Sequence, residues 1–322
     1  MGFRAVPFAR RWKSRMSPWA AALLFLAVWL PSCGERGGEK AGGRVRALAA
    51  IPPLAYFAER VGGPDVRVDV LISPGQEPHT YETTPKQIAA LASTQVYFKV
   101  GMPFERALVE RIAETNPKLR IVETCDGVPL RRMAAWEADP DEKGAPDEHG
   151  HGAGAPDPHA WLNPRYAKVM AANIAKGLAA VDPAHAAEYG RNLQTLQADL
   201  DAVDAKLQRI LGPLKGKELM VFHPAFGYLA DAYGLRQVSV EVEGKEPGPR
   251  QFAALIDGAK KRGVRVIFVQ PQFSRRSAEA VAGAIGGAVV PLDDLAHDYI
   301  RNLDDMAAKI QAALAPEPAP PR

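Results

Sequence analysis

From residue 45 onward, short apolar runs alternate with segments of helical periodicity. Residues 45–50, 66–72, 96–100 and 120–122 read as strands, with helices at 53–61, 85–92 and 104–115. A helix from Pro164 to about residue 180 closes this first series. A second series follows, with strands at 218–222, 237–242, 264–269 and 288–291, and helices at 225–233, 252–262, 278–285 and 295–314. Strands that alternate with helices predict βαβ units and mainly parallel sheets. Between the series, Tyr189, Leu193, Leu196, Leu200, Val203, Leu207 and Ile210 recur at alternating intervals of four and three. That spacing draws one apolar stripe along a helix of about 28 residues, or about 42 Å at 1.5 Å per residue. Asp182-Pro183 opens the helix and Gly212-Pro213 stops it. A coiled-coil dimer is the alternative, but the stripe is only about three heptads long and its flanks lack an opposite-charge code. The expected fold is therefore α/β: two lobes, each with a mainly parallel sheet flanked by helices, joined by a single long helix. The predicted boundaries are an N-terminal lobe at 45–181 with a mobile loop at 139–158, a linking helix at 182–212 and a C-terminal lobe at 213–314. A disordered Pro-rich tail is expected at 315–322.

The N-terminus has a different pattern. Arg4, Arg10, Arg11, Lys13 and Arg15 precede twelve consecutive apolar residues, Trp19 to Leu30. Spanning a bilayer takes about 20 residues, so the run suits a secretory signal at 1–32. Leu30-Pro31-Ser32-Cys33-Gly34 resembles a lipobox, which implies lipidation at Cys33 and a membrane anchor; a plain signal peptide containing a Cys is the alternative. Residues 33–44, rich in Gly, read as a flexible tether. The chain is thus expected to be exported, in the periplasm or at the cell surface.

Composition narrows the function classes. The 322 residues are 47% apolar and 24% charged, as in a globular protein. Net charge is +3, but the five basic residues above lie in the leader, leaving 35 basic against 37 acidic from residue 33 on. No nucleic-acid-binding surface is expected. Two cysteines, at 33 and 125, exclude a disulfide scaffold and a cysteine-rich zinc site.

The seven histidines carry the candidate chemistry. His79 lies in a loop leaving a strand, His159 stands just before a helix, and His223 directly follows a strand; each adjoins a proline. In open α/β sheets, ligands bind beyond the carboxyl ends of strands. Unrelated surface or capping histidines are the competing interpretation. Asp293 and Asp294 follow the strand at 288–291 in the same way, and either could instead cap the next helix. His149 and His151 form a short accessory metal-affine tract on the loop. His185 and His297, on predicted helices, are expected to be exposed or locally bonded.

These blocks together resemble the periplasmic metal-binding proteins of zinc and manganese ABC importers, over about residues 45–314. They are PGQEPHTYE at 74–82, FKVGMPFE at 98–105, DPHAWLNP at 157–164, HPAFGY at 223–228, GKEP at 244–247, QPQFS at 270–274 and LDDL at 292–295. The resemblance implies a metal between the lobes, held by His79, His159 and His223 with Asp293 as closing carboxylate. It also implies a permease and, through it, an ATPase as partners. Gln270 departs from the family's frequent Glu, and Gly248 from a frequent Ser. Three imidazoles and a carboxylate suit Zn²⁺, with Mn²⁺ the rival. Glu77, Glu82 and Asp157 are candidates to orient the imidazoles by accepting their free N–H. The implied role is high-affinity capture and delivery of Zn²⁺ by a monomeric, non-enzymatic receptor. A manganese or iron receptor, a secreted zinc hydrolase and an adhesin are the alternatives. No HExxH pair marks a hydrolase.

Overall fold

The computed structural model describes residues 43–133, 156–241 and 248–315. The leader, Cys33, His149, His151 and almost all of the C-terminal tail lie outside the described residues. The first series forms β1 (Val45–Ala49), α1 (Pro52–Gly62), β2 (Val66–Val70), α2 (Pro85–Leu91), β3 (Val96–Lys99), α3 (Glu105–Thr115), β4 (Arg120–Glu123) and α4 (Pro164–Val181). After α5 (Ala186–Leu211) come β5 (Glu218–Val221), α6 (Gly227–Tyr233), β6 (Arg236–Ser239), α7 (Pro249–Lys261), β7 (Val266–Val269), α8 (Arg275–Ile285), β8 (Ala288–Pro291) and α9 (Tyr299–Leu314).

Each series closes into a four-stranded sheet with the same order, β2-β1-β3-β4 and β6-β5-β7-β8, and every pairing is parallel. In both, the chain leaves the first strand toward one edge and then returns past it to the other. That reversal opens a crevice beyond the carboxyl ends of β1 and β3, and of β5 and β7. His223 directly follows β5, His79 lies on the loop after β2, and His159 stands just before α4.

The predicted stripe of the joining helix is buried: Tyr189, Leu196, Leu200, Val203 and Leu207 are at most 3% exposed, with Leu193 and Ile210 packed at its margin. One apolar cluster runs from the first sheet along α5 into the second lobe, where Phe226, Leu229, Phe268 and Leu303 join it. Ion pairs Arg165–Asp204, Lys168–Asp201 and Lys206–Asp304 fasten α4 and α9 to the outside of α5. Gly177 lets α4 approach β4 closely, because a Cβ there would stand 2.7 Å from Cγ2 of Val122.

Two departures from the expected bounds bear on the site. The strand predicted at 237–242 ends at Ser239, and the last helix starts at Tyr299 instead of 295. In the second case Leu295 donates its N–H to Oδ1 of Asp293 at 2.9 Å, which folds the chain into a turn before the helix begins. His297 consequently lies outside a helix and pairs with Glu59 of α1 across 2.9 Å at the surface.

Candidate metal centre

The loop after β2 is shaped by its own polar side chains. Gly75, at φ 79°, makes the bend, and Gln76 accepts from the Ser73 N–H. Glu77 accepts from the backbone N–H groups of His79 and Thr80 at 2.8 and 2.7 Å. Downstream, Thr84 and Gln87 form a capping box at the start of α2. Glu77 therefore fixes the backbone that carries His79, not its ring.

His159 is held from its other ring nitrogen. Nδ1 lies 2.8 Å from Oδ1 of Asp157, which also accepts the His159 backbone N–H at 3.0 Å, while Oδ2 takes Arg131 Nη1 at 3.0 Å. Burial raises the Asp157 carboxyl, but the bond to His159, the charge of His159 and that of Arg131 outweigh it and hold the group below its usual range. An ionised carboxylate on Nδ1 fixes the proton there and leaves Nε2 as the lone-pair donor.

His223 follows the same logic with a residue that sequence reasoning missed. Its Nδ1 stands 2.6 Å from Oε2 of Glu241, both side chains being almost fully buried. Gln270, beyond β7, grips the His223 backbone from both sides, accepting its N–H at 3.3 Å and donating to its carbonyl at 2.9 Å. Phe273 stacks on the imidazole with ring centroids 4.8 Å apart and planes 14° from parallel. Position at the carboxyl end of β6, next to β5, was the available signal for Glu241.

The three imidazoles converge. Among the described residues they form a group whose potential ligand atoms all lie within 4.8 Å of one another. Nε2 of His79 and Nε2 of His159 are 3.3 Å apart. Ligands at about 2.0–2.1 Å around a tetrahedral Zn²⁺ are separated by about 3.3–3.4 Å, so this spacing is one edge of such a tetrahedron.

Asp293 is not brought into the group. Its carboxylate accepts from the backbone of Leu295 and Ala296, and burial raises its carboxyl. Its neighbour Asp294, buried and bonded to Gln272 Nε2 at 3.1 Å, is the acid that lies within the electrostatic reach of His159. Burial pushes Asp294 up to about 6, against the pull of His159. Its main-chain carbonyl takes the Trp161 indole N–H at 2.7 Å, so the DPHAWLNP block of one lobe is bonded to the LDDL turn of the other. Glu82 makes no bond to an imidazole that the structure shows.

Three converging imidazoles, two of them buried and backed by a carboxylate on Nδ1, are a donor set for a transition-metal ion. Known metal-binding proteins are similar to this chain in sequence and fold. A crystal structure of ZnuA superposes with a TM-score of 0.76 at 38% identity, covering 84% of this chain and all of that one. The high-affinity zinc uptake system protein ZnuA of Brucella abortus is 27% identical over 84% of this chain and 92% of its own. The iron-binding protein YfeA of Yersinia pestis is 30% identical over 85% of this chain and 88% of its own. The profile of the periplasmic component A of zinc-uptake complexes matches residues 48–313, nearly everything from β1 to α9, and the chain therefore belongs to that family.

Proposed function

We propose that this protein captures Zn²⁺ outside the cytoplasm, on His79, His159 and His223, and delivers it to the permease of an ABC importer powered by its ATPase. The observation that carries the reading is the 3.3 Å separation of two ligand nitrogens within a three-imidazole cluster of which two members are buried. An all-imidazole set favours Zn²⁺ over Mn²⁺, which prefers harder oxygen ligands. The iron-binding relative keeps a second cargo in view, and cellular metal content separates the cases. Cells lacking the protein should fall in zinc while holding manganese and iron. Depletion of manganese or iron with zinc unchanged would reassign the cargo.

The negative charge balancing the ion comes from Asp294 in this reading, because the Asp293 carboxylate is occupied by the turn that precedes α9. Asp294→Asn should then weaken zinc binding more than Asp293→Asn; the reverse order would restore Asp293. Turnover is not part of the role. Asp157 and Glu241 are each engaged by an imidazole Nδ1, which leaves neither to act as a general base. The protein works as a monomer, anchored by a lipid on Cys33. Mass spectrometry of the mature N-terminus should find a diacylglyceryl-modified Cys33, and an unmodified chain starting elsewhere would remove the anchor.

A further inference from the structure

Arg131 stands where the two lobes meet behind His159. It leaves the first lobe just after β4, and its Nη1 binds Oδ2 of Asp157 at 3.0 Å while its Nε reaches Oδ2 of Asp231 on α6 of the second lobe at 3.2 Å. Its backbone N–H donates to the Tyr228 hydroxyl, which in turn donates to the Asp157 carbonyl, both at 2.9 Å. Tyr228 is thus a peg from the second lobe, packed against Val128, Ala160 and Tyr166 of the first. The guanidinium lies over the Tyr228 ring and against Gly227, where a Cβ would fall 1.4 Å from Nη1. Glycine at the start of α6 therefore makes room for this one side chain.

We propose that Arg131 is a positioning residue whose hold on Asp157, and through it on His159, depends on the apposition of α6, so that closed lobes lengthen the residence of the metal and parted lobes shorten it. The physical reason is the sharing of contacts. Asp157 has one oxygen on the imidazole and the other on Arg131, and among the described residues the other charged partner of the guanidinium, Asp231, comes from the second lobe. When α6 withdraws, Tyr228 and Asp231 leave with it. Arg131 is then free to turn to solvent, and Asp157 loses the bond that fixes its plane. A metal ligand whose supporting carboxylate is loosened binds about 10–100-fold less well. The ion would be gripped in the closed receptor and loosened where lobes are pulled apart.

The inference rests on the zinc reading of the site, and one set of variants separates the two. Zinc dissociation into excess chelator is timed by stopped flow for the wild type, His223→Ala, Arg131→Ala, Gly227→Ala and the double variant Arg131→Ala/Gly227→Ala. Gly227→Ala keeps the arginine but displaces it, so it tests placement and not charge. The expected result is about tenfold faster release for Arg131→Ala and for Gly227→Ala, with no further gain in the double variant. The d–d spectrum of the Co²⁺ form should be unchanged in all three, because the ligands themselves are intact. Apo-protein melting shows whether a variant is merely unfolded, and Tyr228→Phe, which removes both hydroxyl bonds while filling the same space, then serves in its place with the same expectation. Wild-type release rates in Arg131→Ala, or additive effects of the two substitutions, would overturn the clasp. Equal release from the wild type and His223→Ala would instead overturn the zinc site.

Discussion

Glu241 and His223 offer a direct probe of how the site is built. Replacing Glu241 with Gln keeps volume and a carbonyl acceptor but removes the charge facing Nδ1. The bond is short, 2.6 Å, and both side chains are about 95% buried, so solvent offers little compensation. Hydrogen bonds to a charged group contribute about 1.5–3 kcal/mol, against about 0.5–1.5 for neutral pairs, which puts the loss near 1–1.5 kcal/mol. Metal ligation makes the imidazole a stronger donor, so most of that difference falls on the loaded state, and zinc affinity should drop about tenfold. Competition with a chelator at pH 8 measures it cleanly, since ordinary imidazoles, with pKa about 6.5, are neutral there. Unchanged affinity would show that the Glu241 charge does not support His223. A loss beyond about a thousandfold, outside the range of a supporting residue, would make Glu241 a ligand in its own right.

Three further outcomes follow from neighbouring residues. Zinc binding should weaken from pH 7.5 to 5.5, because imidazoles must be neutral to ligate and Asp294, pushed up to about 6 by burial, loses its charge in the same window; a flat titration would refute both roles. Trp161→Phe removes the indole N–H that satisfies the Asp294 carbonyl and should destabilise the apo protein by about 1–3 kcal/mol in urea melts, whereas a neutral result would mean that this link between the lobes contributes nothing. The Cys125 thiol, half-buried and raised to about 12 by desolvation, should resist alkylation at pH 8 in the folded protein and react once it is denatured; rapid labelling of the native chain would contradict this.

The parts of this structure legible in the sequence are those encoded by local periodicity and punctuation. The stripe from Tyr189 to Ile210 announced α5, and Thr84-Pro85 with Gln87 announced the start of α2, because helix faces and caps are set by residues within one or two turns. The three histidines were legible because His79 and His223 follow strands, His159 stands just before a helix, and each adjoins a proline. What escaped depends on contacts between distant segments. Glu241 was read as the interior of a strand, yet β6 stops at Ser239 and the freed chain brings the carboxylate to His223, 18 residues away in sequence. The choice between Asp293 and Asp294 was equally hidden. Adjacent carboxylates after a strand point apart, and only the packed turn decides which one caps Leu295 and which one lies within the electrostatic reach of His159. Arg131 carried no signal at all, since its partners Asp157, Tyr228 and Asp231 come from two lobes.

The most direct test of the account is anomalous diffraction at the zinc edge from crystals of the zinc-loaded protein. The account predicts one strong peak about 2.0–2.1 Å from Nε2 of His79, His159 and His223, and its loss when all three are alanine. A zinc peak elsewhere in the protein, or one that persists in the triple-alanine variant, would contradict it.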